Sequence, residues 1–129
     1  MLRALYEAAS RRDWDAAFSN ALPDFELRLP EGDILSASYR AVEGIRRYYG
    51  DLLEPFEEAV AEPAKSLERG DQIVVYSVGR IRPRGSSTVV EIRNGHLWTI
   101  RGGKLARCEL FPKPEQALEA AGLSEQDAH

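Results

Sequence analysis

VEIRNGHLWTIRGGKLARCELF, residues Val90 to Phe111, decides how this chain is read. It is two runs of alternating residues separated by Gly102-Gly103. A glycine pair suits the two-residue hairpin turn, whose central positions both take positive φ. Strand side chains point to alternate faces. Val90, Ile92, Asn94, His96, Trp98 and Ile100 therefore share one face, and Glu91, Arg93, Gly95, Leu97, Thr99 and Arg101 the other. In the second run Ala106, Cys108 and Leu110 oppose Arg107, Glu109 and Phe111. The apolar faces are expected to meet helices, which places Asn94 and His96 on an otherwise oily surface. An amide and an imidazole there mark the polar end of a candidate cavity. A bulge at Gly95 would break this register.

Outward from this hairpin the second half continues as strands. Val60 to Glu68 carries Pro63, hence an edge or a bulge. Gln72 to Arg82 is a β-branched run; its inward set is taken as Ile73, Val75, Ser77, Gly79 and Ile81, because the alternative buries Arg80 and Arg82. Ser77 and Gly79 then leave room inside. The first half is helical. Residues 2 to 12 carry Leu2, Leu5, Tyr6 and Ala9 at helical spacing. Asp13 caps a second helix over Trp14 to Asn20, with Asp15 in its first turn. Phe25 to Leu29 alternates as a half-buried strand, Glu31 to Asp33 turns, and Ile34 to Ser38 is a short edge strand. A helix over Arg40 to Leu53 buries Val42, Ile45, Tyr48 or Tyr49, and Leu52, and Pro55 ends it. Glu115 to Ala121 is a closing helix stopped by Gly122. The order argues an α+β fold, a curved antiparallel sheet with helices packed on one face.

Composition narrows function. The chain has 129 residues, the size of one domain spanning 1–129. Its 17 basic residues are interleaved with 21 acidic ones for a net charge of −4, which argues against nucleic acid and anionic membranes as partners. The apolar runs are too short to span a bilayer, and the N-terminus lacks the apolar core of a signal peptide, so a cytoplasmic location is expected. The single cysteine, Cys108, supports neither a disulfide framework nor a zinc cluster. No metal is expected. No cofactor is expected either, since the Gly102-Gly103 turn lacks the strand-turn-helix setting of a phosphate loop.

Five segments in this order carry a family resemblance: LRALYEAASRRDWDAAF, PDFELRLP, RAVEGIRRYYGDLLEPFEE, RGDQIVVYSVGRIR and HLWTIRGGKLARCELFPKPEQALEAAGL. Together they resemble the SnoaL-like group of the nuclear transport factor 2-like superfamily over nearly the whole chain. The resemblance implies a cone-shaped α+β barrel, with a curved sheet around a long N-terminal helix, helices on the concave face and a cavity open at one end. Its members include ketosteroid isomerases, polyketide cyclases, limonene epoxide hydrolases, dehydratases and non-catalytic modules. Fold alone does not select among these.

Carried over residue by residue, the resemblance implies a broken catalytic set. The isomerase base falls on Leu29, which takes no proton. The isomerase tyrosine falls on Leu5, with Tyr6 one residue and about 100° away around the helix. The protonated acid donor falls on His96. The cyclase aspartate falls near Lys113, and the inward sets contain none of the aspartates or arginine an epoxide hydrolase uses.

His96 is thus the one candidate catalytic residue, as a base or a hydrogen-bond donor. The expected ligand-binding residues are Trp14, Phe18, Tyr49, Asn94, His96, Trp98 and Cys108. Asp13 and Asp15 read as a helix cap. Cys108 reads as a small core hydrophobe. The leading reading is a protein that binds a small, mostly hydrophobic metabolite. A second is an isomerase, cyclase or hydrolase, which requires a carboxylate or a tyrosine (Tyr6, Tyr48, Tyr49 or Tyr76) against His96. A third is a non-catalytic dimerisation module. A homodimer through the outer sheet face, with Leu97, Phe111, Tyr76 and Val78 as its apolar patch, is compatible with all three.

Overall fold

In a computed structural model of the chain, which describes residues 2–29, 38–124 and 126 and only the backbone of 38–42, the glycine pair turns as its sequence requires. Gly102 and Gly103 have φ of 61° and 78° and join β5 (Val90–Arg101) to β6 (Lys104–Phe111). Before them come α1 (Leu2–Ser10), α2 (Trp14–Ala17), β1 (Ala21–Arg28), β2 (Ser38–Arg40), α3 (Ala41–Leu53), β3 (Phe56–Arg69) and β4 (Gln72–Pro83), and α4 (Pro114–Ala120) follows. The strands form one curved, open sheet in the order β2-β1-β6-β5-β4-β3.

The β4–β5 ladder runs without interruption from Gln72↔Thr99 to Ile81↔Val90, so no bulge forms at Gly95 and the inward register of β5 holds there. Near the hairpin turn the β5–β6 ladder shifts between Thr99 and Ile100, and Leu105 joins the concave core in place of Ala106. Pro63 lies on the edge strand β3, where the ladder to β4 shifts register between Pro63 and Lys65. That position spares it a donor it does not have. Val75 and Ser77 are buried on the concave face, as the inward set requires.

Four expectations are corrected. The sheet is mixed, because β1 pairs with β6 in parallel. No tight turn links these two strands, so no local signal in the sequence dictates their direction. The second helix ends at Ala17 instead of Asn20, and β1 begins at Ala21, through Pro23 and Asp24, with an irregular register before Glu26. The N-terminal helix is nine residues long, shorter than the 13 of α3. Leu52 is 46% exposed instead of buried. Of the expected Ile34–Ser38 strand only Ser38 is described, and it opens β2; the Glu31–Asp33 turn and the side chain of Val42 lie outside the described residues.

Two apolar clusters hold the sheet from opposite sides. On the concave side Leu5, Tyr6, Trp14 and Phe18 of the N-terminal segment and Ile45 of α3 pack on Phe25, Leu27, Val75, Trp98 and Cys108. Asp13 caps α2 as predicted, its carboxylate accepting from the Ala16 amide at 3.2 Å. Asp15 pairs with Arg46 of α3 at 2.6 Å. On the other side α4 lies across β4 and β5, and Ala117, Leu118 and Ala121 bury Val74 and Leu97. The helices therefore do not all occupy the concave face. Leu97, only 1% exposed, is taken out of the expected outer patch by the chain's own closing helix. Gly95 is what lets α4 approach. A Cβ at that position would stand 2.7 Å from Pro114 Cα and 3.0 Å from Ala117 Cβ.

Candidate functional site: an uncharged cavity with one polar end

Between the helices and the concave face the structure leaves a cavity of about 260 Å³. Leu5, Tyr6, Ala9 and Ser10 of α1 form one wall, Trp14 and Phe18 a second, and Tyr48, Tyr49, Leu52 and Leu53 of α3 a third. The sheet supplies Ser77, Gly79 and Ile81 from β4, Ile92, Asn94, His96 and Trp98 from β5, and Cys108 and Leu110 from β6. All seven residues predicted to meet a ligand (Trp14, Phe18, Tyr49, Asn94, His96, Trp98 and Cys108) are brought together here. Leu52 and Ile92, 46% and 40% exposed, leave apolar surface open to solvent beside it. Among the described residues none of the lining side chains is an Asp, Glu, Lys or Arg. An ionised ligand would find no opposite charge in this lining.

Three side chains order the polar end. The Trp98 indole N–H donates to the Tyr6 oxygen at 3.1 Å. The Tyr6 oxygen lies 2.5 Å from His96 Nδ1. The direction of that second bond follows from counting partners. Tyr6 is 4% exposed, and His96 Nδ1 is the sole acceptor for its hydroxyl among the described residues. A buried hydroxyl left without an acceptor is costly. Tyr6 therefore donates to Nδ1, and the imidazole carries its proton on Nε2.

Protonation states agree with this chain of bonds. Burial among apolar walls lowers the His96 pKa to about 4, so the ring is neutral near pH 7. Burial raises the Tyr6 phenol well above its ordinary value, with a smaller contribution from the neighbouring Cys108 and partial opposition from the Trp98 hydrogen bond. Burial also raises Tyr49, which stacks on Trp14 with ring centroids 5.1 Å apart and planes at 14°. The Cys108 thiol is pushed well up by burial and then by Glu109, so it stays protonated and is no nucleophile. Neutral His96 is a hydrogen-bond donor through Nε2. Its other nitrogen, the one that would act as a base, is occupied by Tyr6.

Asn94 completes the polar end. It faces the same cavity two residues before His96, and its buried Oδ1 has no hydrogen-bond partner. The positions where the resemblance implied other catalytic groups are filled as the sequence suggested. Leu5 is a buried apolar wall, Leu29 is aliphatic, and Lys113 is an exposed residue at the start of α4. Tyr6, which residue-by-residue matching put one position off and which was one of four tyrosine candidates against His96, is the one that meets it. The missing quantity was the rotation of α1 over the sheet. The signal was its membership of the inward helical stripe. Among the described residues no three His, Cys, Asp or Glu side chains form a metal-binding group, and no helix is long and apolar enough to cross a membrane.

No curated protein sequence matches the chain. Among solved structures it is similar to TerC co-crystallised with polyporic acid, at 26% identity and a TM-score of 0.73, over 84% of this chain and 85% of that one. An NTF2-like protein of unknown function from Burkholderia pseudomallei aligns at 20% identity and a TM-score of 0.74, over 91% of each chain. A ketosteroid isomerase-like fold from Catenulispora acidiphila, solved with trimethylamine, aligns at 16% identity and a TM-score of 0.72, over 95% and 92%. The profile of the SnoaL-like domain matches residues 2–108, and the chain belongs to that family.

Proposed function

We propose that this protein binds a small, neutral, mostly hydrophobic metabolite in the cavity and holds a carbonyl or similar acceptor of that ligand on His96 Nε2–H. The observation that carries the reading is the Trp98–Tyr6–His96 chain, which fixes a neutral imidazole as a donor beside a cavity lined without charge. Trp14, Phe18, Tyr49, Trp98 and Cys108 supply the apolar contact. At about 260 Å³ the cavity falls just below the ~300–1,000 Å³ of sites for drug-sized ligands, which suits a one- or two-ring molecule. The relative crystallised with polyporic acid supports ligand binding by this fold.

The chain's two tryptophans, Trp14 and Trp98, both line the cavity, so its emission reports on the site. Titration with 1-tetralone is expected to give a saturable change in tryptophan emission. Replacing Gly79 by Leu, where a Cβ meets nothing nearer than 3.6 Å, fills the cavity and abolishes the change. Anionic 1-naphthoate is expected not to bind. No saturable change with 1-tetralone, or equal binding of naphthoate, overturns the reading.

A second reading is turnover. The tyrosine that an enzyme requires against His96 is present in Tyr6. The neutral ring would act as an electrophile, polarising a bound carbonyl. Reaction would then need a ligand whose proton leaves to water, because no carboxylate lines the cavity among the described residues. Product formation that disappears in both Tyr6→Phe and His96→Phe is the measurement that separates catalysis from binding.

A further inference from the structure

Resting on the binding reading, the geometry points to Asn94 as a specificity residue. We infer that it reads a hydroxyl on the ligand while His96 holds the carbonyl, so that the preferred ligands are neutral hydroxy-ketones. Asn94 and His96 are alternate residues on one face of β5, about 6.6 Å apart along the strand. Each has a hydrogen-bonding group unanswered among the described residues. Among the described residues the buried amide oxygen of Asn94 meets no donor, and the hydrogen bond that His96 makes is through Nδ1, which leaves Nε2 without a partner. The neighbouring positions on that face, Ile92 and Trp98, are apolar or satisfied, Trp98 through its bond to Tyr6. The cross-strand partner of Asn94 is Ser77, which does not donate to the amide oxygen.

A buried, unpaired amide is destabilising in the empty protein. Packing does not call for it, since a leucine there would continue the apolar face. A ligand hydroxyl removes the deficit, because it donates to the amide carbonyl and, if the amide turns about its last torsion, accepts from its NH₂ group. A ligand without that hydroxyl leaves the amide unpaired in an even drier site. Discrimination of this kind is larger than that given by an apolar contact, because the wrong ligand strands a polar group. The amide and the imidazole also disfavour charged ligands together, since neither carries charge at neutral pH and no other described lining residue does.

The test is a set of three bicyclic probes of nearly one shape: tetralin, 1-tetralone and 6-hydroxy-1-tetralone. Affinities are read from tryptophan emission and checked by calorimetry. The wild-type protein is expected to bind 1-tetralone more tightly than tetralin, and 6-hydroxy-1-tetralone about five-fold more tightly than 1-tetralone. In Asn94→Leu and Asn94→Val the hydroxy-tetralone to tetralone ratio falls to about one, and Asn94→Leu melts at a higher temperature than the wild type. Two replacements of different shape guard against a local packing fault in either, and circular dichroism confirms the fold of both. If the ratio in wild type is already one, or persists in both variants, Asn94 does not read the hydroxyl and the inference is overturned while the binding reading stands. If none of the three probes binds the wild-type protein, the cavity reading fails, and the inference with it.

Discussion

His96 shows how one residue's chemistry is set by what surrounds it. Its ordinary pKa of about 6.5 would leave it partly charged in a cell. Apolar burial lowers it to about 4, and Tyr6 holds the remaining proton on Nε2. The sign of the linkage follows. The folded pKa lies below the unfolded one, so between about pH 4 and 6.5 the unfolded chain binds the proton that the folded ring refuses. Stability is full above pH 6.5 and declines as pH falls toward 4, by on the order of 2–3 kcal/mol from this group. His96→Phe should flatten the dependence of denaturation midpoint on pH between 4.5 and 6.5; an unchanged slope would assign that titration elsewhere. Tyr6→Phe leaves the Trp98 N–H without its acceptor and frees Nδ1, at a cost of about 1–2 kcal/mol by chemical denaturation. Asn94→Leu removes an unpaired carbonyl and is expected to add about 1 kcal/mol in the empty protein. Much of this site was legible in the sequence. A period of two, anchored by Gly102-Gly103, was enough to place Asn94, His96, Trp98 and Cys108 on the cavity side. Tyr6 was one of four tyrosine candidates against His96; that it is the partner was not legible, because a one-residue offset on a helix means little until the helix is docked.

At the scale of elements, Gly95 and α4 carry the main lesson. Within the strand pattern a glycine suggested a bulge. The ladder is regular, and the glycine instead makes room for Pro114 and Ala117 of α4. Leu97 in the outward set had the same cause: an apolar residue among charges waiting for a partner from later in the chain. Arg69 at the end of β3 helps to hold that partner, its guanidinium donating to the Gly122 carbonyl and, at 3.4 Å, to that of Ala121. Gly95→Ala would push its Cβ into Pro114 backbone and should cost about 1–3 kcal/mol as α4 shifts. Its 1-tetralone affinity should stay within about two-fold of wild type, because α4 is on the far side of the sheet from the cavity; a larger loss would show that the two faces are coupled. The parallel β1–β6 pairing was hidden for a related reason. Strand direction is readable where a short turn dictates it, and β1 reaches β6 through no such turn.

For the whole molecule, the sheet is a partition between two cores. One face is sealed by α4 and serves stability, and the other keeps room for a ligand under α1, α2 and α3. This division changes what an outer-face substitution can test. Leu97→Glu would bury a charge under α4 and is expected to cost at least about 3 kcal/mol, losing the fold whatever the association state. A folded Leu97→Glu protein of reduced solution mass would instead mean that α4 leaves this face and a second copy covers it. The cone architecture was legible because helices, strands and turns came in a recognisable order. The uncharged sheet wall of the cavity was legible too, once the arginines of β4 were assigned outward.

The central claim is a neutral His96, protonated on Nε2 and offered to a neutral ligand. The most direct measurement is ¹⁵N-edited NMR of the His96 ring across pH 4.5 to 8, with and without 1-tetralone. The account predicts a neutral ring with Nδ1 as acceptor and Nε2 bearing the proton down to about pH 5, and a saturable shift of Nε2–H on adding 1-tetralone. A ring that titrates near pH 6.5, or carries its proton on Nδ1, or does not respond to the ketone, would contradict it.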